Sequence, residues 1–139
     1  MKALILRNLF LAAFMLAGLA SFAQIEYYKH DTIEDILIEY RWQRASIFRR
    51  DADARLNLKI SNHSYDYVEV RFTVAFYRDE QIYFESSEQA LCLAPGASRR
   101  GARAGLRFSA PGIARDTIAE DWFSWDLSGV EVKVVEGCD

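Results

Sequence analysis

Histidine is nearly missing from this chain. Its two copies, His30 and His63, stand in no motif that pairs an imidazole with a nucleophile, which removes the usual apparatus of covalent catalysis. Cysteine is as scarce. Cys92 and Cys138 are the two copies, and they do not form a Cys-x-x-Cys arrangement, so a thioredoxin-type redox role is excluded. No glycine-rich phosphate loop follows a strand-like run, which excludes the common nucleotide sites. The acid pairs Asp51-x-Asp53 and Glu120-Asp121 lack the glycine-punctuated loop of a recognised calcium site and read as solvated loop carboxylates. With no catalytic grouping, metal motif or cofactor motif, the chain reads as a non-enzyme that needs no cofactor.

What is present begins with an address. Lys2 and Arg7 precede an apolar run from Leu9 to Ala20, and Ser21-Phe22-Ala23 places small residues where a signal peptidase reads. The run is shorter than the roughly 20 apolar residues that span a bilayer, so residues 1–23 are expected to be a cleavable signal peptide. No cysteine follows the apolar core and no later segment is apolar enough to span. The expected product is exported, periplasmic or secreted, and not lipid-anchored. It comprises residues 24–139 as a single domain. The leader holds two of the 17 basic residues and none of the 20 acidic ones, so the mature part carries 15 against 20, a net charge of −5. An acidic balance argues against a general nucleic-acid binder, whose affinity comes from neutralising phosphates. In an oxidising compartment an even cysteine count favours a Cys92–Cys138 disulfide.

Along the mature chain the burial signal has a period of two. Ile36, Ile38, Tyr40 and Trp42 alternate with mostly polar neighbours. So do Leu56, Leu58 and Ile60, and then Val68, Val70, Phe72, Val74 and Phe76. Alternation of this kind marks strands with one buried face. The polar run Asn62-His63-Ser64-Tyr65-Asp66 between the last two reads as a hairpin turn, and Asp79-Glu80 turns the chain again into Ile82-Tyr83-Phe84. Gln89 to Leu93 is a short strand stopped by Pro95-Gly96. Ala102, Ala104, Leu106 and Phe108 alternate with Arg103 and Arg107 in one strand over Ser98–Phe108, ended by Ala110-Pro111-Gly112. Val130, Val132 and Val134 close the chain. Gln24–Asp31 is expected to be a partly ordered lead-in, Ser46–Arg55 a surface loop, and Asp116–Asp126 a helical turn or an aromatic crossover. The pattern predicts an all-β, immunoglobulin-like or fibronectin-III-like antiparallel sandwich of about seven strands.

Three segments together, Leu58-x-Ile60-x-Asn62, Val70-x-Phe72-x-Val74-x-Phe76-Tyr77 and Leu93-Ala94-Pro95-Gly96-Ala97-Ser98, resemble bacterial immunoglobulin-like modules of the cell-adhesion-related (CARDB-like) kind over about residues 56–108. The turn at Arg78-Asp79-Glu80 departs from that pattern by lacking the usual glycine. The resemblance implies a non-catalytic spacer or adhesive unit. Asp31-Thr32-Ile33 and Asp116-Thr117-Ile118 also resemble the O-glycosylation site of some Gram-negative bacteria.

Two contact surfaces can be drawn from the sequence. If the long strand neighbours the arginine-rich one, Tyr67, Arg71 and Tyr77 share an outer face with Arg103 and Arg107. Tyrosine and arginine are the residues that dominate adhesive contacts. Alternatively Trp122 and Trp125, with Tyr83, could stack on a sugar ring, against the plainer reading that tryptophans there plug the open end of a sandwich. The expected function is a small exported protein-binding or accessory module at the bacterial cell envelope, with an envelope or extracellular protein as partner, and a carbohydrate-binding module as the alternative.

Overall fold

The computed structural model describes residues 26–43, 48 and 52–139. The expected signal peptide, the start of the lead-in, most of the loop after Gln43 and Asp51 of the first acid pair lie outside those residues. The described chain is all-β. Its strands are β1 Tyr28–Ile33, β2 Ile36–Trp42, β3 Asp53–Asn62, β4 Tyr67–Arg78, β5 Gln81–Glu85, β6 Gln89–Leu93, β7 Ser98–Arg100, β8 Arg107–Ala114 and β9 Phe123–Val135. All pairings are antiparallel. The first sheet runs β1-β2-β3, and the far edge of β3 is shared by β7 and β8. In the second, β4 carries β9 on one edge and divides its other edge between β6 and β5. Among the described residues no helix is long and apolar enough to cross a membrane.

The period-two reading sets the interior. Ile36, Ile38, Leu56, Leu58 and Ile60 of the first sheet and Val68, Val70, Phe72, Val74 and Phe76 of the second are buried, joined by Leu93, Leu106, Phe108, Ala110, Ile113 and Phe123. Burying each of the larger side chains contributes about 1.5–3 kcal/mol. Edge-to-face packing of Phe72 on Phe108 ties the second sheet to the first.

The expected hairpin between β3 and β4 is not one. These strands lie in different sheets, and the polar run between them is an arch that crosses the sandwich. Asn62 decides this. Its side chain is buried, and its Nδ2 donates to the carbonyls of Asp66, Leu93 and Ala94 at 2.7, 3.2 and 3.2 Å. Its Oδ1 accepts from the Ser64 amide and hydroxyl. Its backbone bonds Ala97 and Gly96. One residue therefore fastens both the β3–β4 arch and the β6–β7 arch, each of which passes between sheets.

Other differences from expectation have local causes. The lead-in contains a strand, β1, at the edge of the five-stranded first sheet, and its alternation is masked by a bulge between Lys29 and Asp31. It joins β2 through Glu34-Asp35, and β4 joins β5 through Asp79-Glu80. All four residues have positive φ (46°, 63°, 50° and 66°), as a tight two-residue hairpin turn requires. Carboxylate side chains here take a conformation glycine would adopt without strain. The strand expected over Ser98–Phe108 is broken by Gly101 (φ 69°) and a 3-10 turn at Ala102–Ala104, leaving β7 and β8. Strand β8 then continues through Pro111, because the ladder skips from Ala54↔Ala110 to Asp53↔Ala114 and the proline stands in that bulge, where a missing N–H is tolerated. Strand β9 starts at Phe123, well before Val130, and Asp116 belongs to a single 3-10 turn, Arg115–Thr117. Asp53–Arg55 belongs to β3 rather than to a loop.

If Asn62 fastens both arches, Asn62→Ala lowers the stability of the protein by about 3 kcal/mol, because it strands carbonyls in a buried corner. Asn62→Asp, which keeps the shape and loses the donors, costs nearly as much. Urea unfolding followed by fluorescence, with the slope unchanged and the midpoint lowered, is the measurement.

Candidate functional site

Every residue that the sequence marked for contact is described, but they do not form one surface. Tyr67, Arg71 and Tyr77 alternate on the outer face of β4 in the second sheet. Arg107 is on β8, paired with β3 in the first sheet, and Arg103 sits in the exposed turn between β7 and β8. The shared face is therefore corrected: β6, β5 and β9 occupy both edges of β4, so the arginine-rich segment has no place beside it. Arg71 is further engaged by Glu69 at 2.7 Å and Glu88 at 3.4 Å. The hydrogen bond that Arg71 Nε donates to Glu69, and then the Glu69 charge, hold the Arg71 guanidinium above the ordinary arginine value.

The aromatic alternative is also occupied. The Arg78 guanidinium lies 5.3 Å from the ring centroids of both Tyr83 and Trp122, a cation–π contact with each. His30 stacks on Trp125 at 4.3 Å, and Tyr40 meets the same indole edge-on at 5.1 Å. His30 Nε2 also lies 2.9 Å from Asp126 Oδ1. Both tryptophans are half-buried against the core, which makes them closures of the sandwich's ends and edges. His63 is exposed in the β3–β4 arch. Asp53 Oδ1 accepts the Gly112 amide at 3.0 Å. Among the described residues no group of three or more His, Cys, Asp and Glu could hold a metal ion. Cys92 and Cys138 are joined in a disulfide.

The site that sequence reasoning missed is the outer face of the first sheet. Strand register places Lys29, Glu39, Lys59 and Arg100 in one row, then Arg41, Asn57 and Arg107, then Arg55 with Ser109. Glu39 is the one acid in those rows and is paired with Lys59 at 3.1 Å. Arg107 Nε donates to Asn57 Oδ1 at 2.9 Å. The Tyr27 ring lies 5.3 Å from the Arg41 guanidinium and 5.9 Å from Lys59 Nζ. Asn57 is almost wholly buried although it faces outward, because it is flanked by two arginines. Its Nδ2 and the Nε of Arg41 are buried donors with no partner. Opposite, the outer face of the second sheet carries Glu69, Glu85, Asp126 and Glu131 against Arg71 and Lys133. The two faces of the sandwich thus differ in sign.

The signal for this was present in alternation but needed the register. Lys29, Arg41, Lys59, Arg100 and Arg107 lie on strands far apart in the chain. Only pairing of β1, β2, β7 and β8 about β3 assembles them.

A scan against protein-family models gives no match, and comparison with curated proteins and with solved structures gives none either.

Burial raises the Tyr83 phenol above its usual value, with Arg78 acting in the opposite direction, and the hydroxyl has no hydrogen-bond partner. A folded-state value above the unfolded one gives a contribution that is complete below about pH 10 and is lost as pH rises through the folded-state value. Tyr83→Phe therefore leaves stability at neutral pH equal or raised by up to about 1 kcal/mol. It also reduces the alkaline loss; paired urea titrations at neutral and alkaline pH measure both effects.

Proposed function

We propose that this chain is a small exported, non-catalytic module that binds a partner protein at the bacterial cell envelope, and that the outer face of its first sheet makes the contact. The observation that carries the proposal is the donor-rich surface of Lys29, Arg41, Asn57, Lys59, Arg100 and Arg107, relieved by a single ion-paired acid. Guanidinium forks and an amide offer several donors to a carboxylate-bearing segment. An extended acidic segment laid across the strands could meet successive rows. The separation of charge between the two sheets also orients an approaching acidic partner before contact. The disulfide is compatible with an oxidising compartment, in keeping with export. The resemblance to cell-adhesion-related modules points to the same class.

A glycan platform on Trp122, Trp125 or Tyr83 has less behind it. Arg78 covers Trp122 and Tyr83, and His30 covers one face of Trp125.

Capture of partners from an envelope extract tests the reading. The unaltered protein retains a partner that is released by raised salt. Lys59→Glu/Arg107→Glu weakens capture about tenfold or more, since two reversed charges at a contact exceed 1.4 kcal/mol together. Arg71→Glu, on the opposite sheet, leaves capture unchanged. Equal retention by the double variant contradicts the proposed face.

A further inference from the structure

The longest strand of the sandwich is also an edge. Strand β9 spans 13 residues and pairs with β4 alone; among the described residues its other edge has no partner. Such an edge presents a row of unused backbone donors and acceptors, and proteins usually blunt it with proline, a charge pointing inward, or a covering segment. Val130–Val135 holds no proline, its charges, Glu131 and Lys133, lie on the outer face rather than pointing inward, and among the described residues no strand covers its free edge. The bulge opposite Phe72 takes in Gly129 (φ 62°) and Val130 and leaves Glu131–Val135 regular. The Cys92–Cys138 bond ties the tail after β9 to β6, which lies across β4 from the open edge.

The side chains of this segment are self-complementary. Glu131 and Lys133 stand opposite Arg71 and Glu69 of β4 on the outer face, and both are exposed. On the other face Val132 pairs with Val70, which is fully buried, yet Val130 and Val132 are only partly covered and Val134 is 63% exposed. An antiparallel two-fold pairing centred on Val132 sets each Glu131 against the other copy's Lys133. It sets Val130 against Val134, and Val132 against itself. The outer row then reads Glu69, Lys133, Glu131, Arg71 across the junction, with the sign alternating throughout. Beneath it the half-covered valines of both copies meet. Centring on Glu131 or Lys133 would oppose like charges, and a register shifted by one residue would set valines against charges.

We infer that the free edge of β9 is an interface for a second copy of this chain, which joins the two β4–β9 sheets into one continuous sheet about a two-fold axis at Val132. A C2 contact uses the same patch on both partners, and this patch satisfies that condition in backbone, charge and apolar side chains together. The contact is short, so the association is a concentration-dependent one.

Sedimentation velocity across a wide concentration range tests it. The unaltered protein shifts from monomer to dimer as concentration rises. Glu131→Lys and Lys133→Glu each weaken self-association at least tenfold, while cooperative thermal melting shows that each still folds. Mixed in equal amounts they associate again, because one variant's row is wholly cationic and the other's wholly anionic. A protein that stays monomeric at every concentration overturns the inference. So do variants that dimerise as tightly as the parent, or a mixture of folded variants that fails to associate.

Discussion

The carboxamide of Asn62 is the point at which the two sheets are held to one another. A strand that leaves one sheet for the other exposes backbone groups at the corner, and those groups need partners if the corner is to be buried. Asn62 supplies them at two corners together, through Asp66 on its own arch and through Leu93 and Ala94 on the arch from β6 to β7. An amide suits this position because it carries donors and an acceptor on one short side chain. Serine could not reach three carbonyls, and aspartate would bring a charge and no donor. Packing of Leu58, Ile60, Val70 and Phe72 supplies most of the cohesion. The amide selects which packing is adopted.

The charge on each outer face follows from that choice. With β3 and β4 in different sheets, the outward positions of β3 gather Arg41 from β2 and Arg100 and Arg107 from β7 and β8. The outward positions of β4 gather Glu85, Asp126 and Glu131 from β5 and β9. A chain with a modest net negative charge thereby presents one cationic side. Net charge alone would have pointed away from any anionic partner. The arrangement of charges on the fold matters more than their sum.

Much of the fold was legible in the sequence. The alternation in β2, β3 and β4 gave the strands and their buried sides. That at the end of β9 marked a strand whose valines are only partly covered or exposed. The even cysteine count, read with the expected signal peptide, favoured the Cys92–Cys138 pair. Harder to read was anything set by contacts distant in the chain. A run such as Asn62–Asp66 has the composition of a turn whether the chain reverses within a sheet or crosses to the other. The bonds that distinguish these outcomes reach Leu93, 31 positions away. Strand β1 was hidden by its bulge and by a turn of Glu34-Asp35, which lacks the glycine that signals such turns. The site fared worse than the fold. Tyr67, Arg71, Arg103 and Arg107 were recognisable as contact-forming residue types, but their grouping depended on strand order, and strand order is not written in local pattern.

Backbone NOEs from the folded protein in solution test the arrangement most directly. The strand order described here predicts cross-strand contacts joining Asn57 to Arg107 and Val70 to Val132, with none linking β3 to β4. Contacts pairing Ile60 with Val68, as a hairpin through Asn62–Asp66 would give, would contradict it. They would also dismantle the cationic face that the order creates.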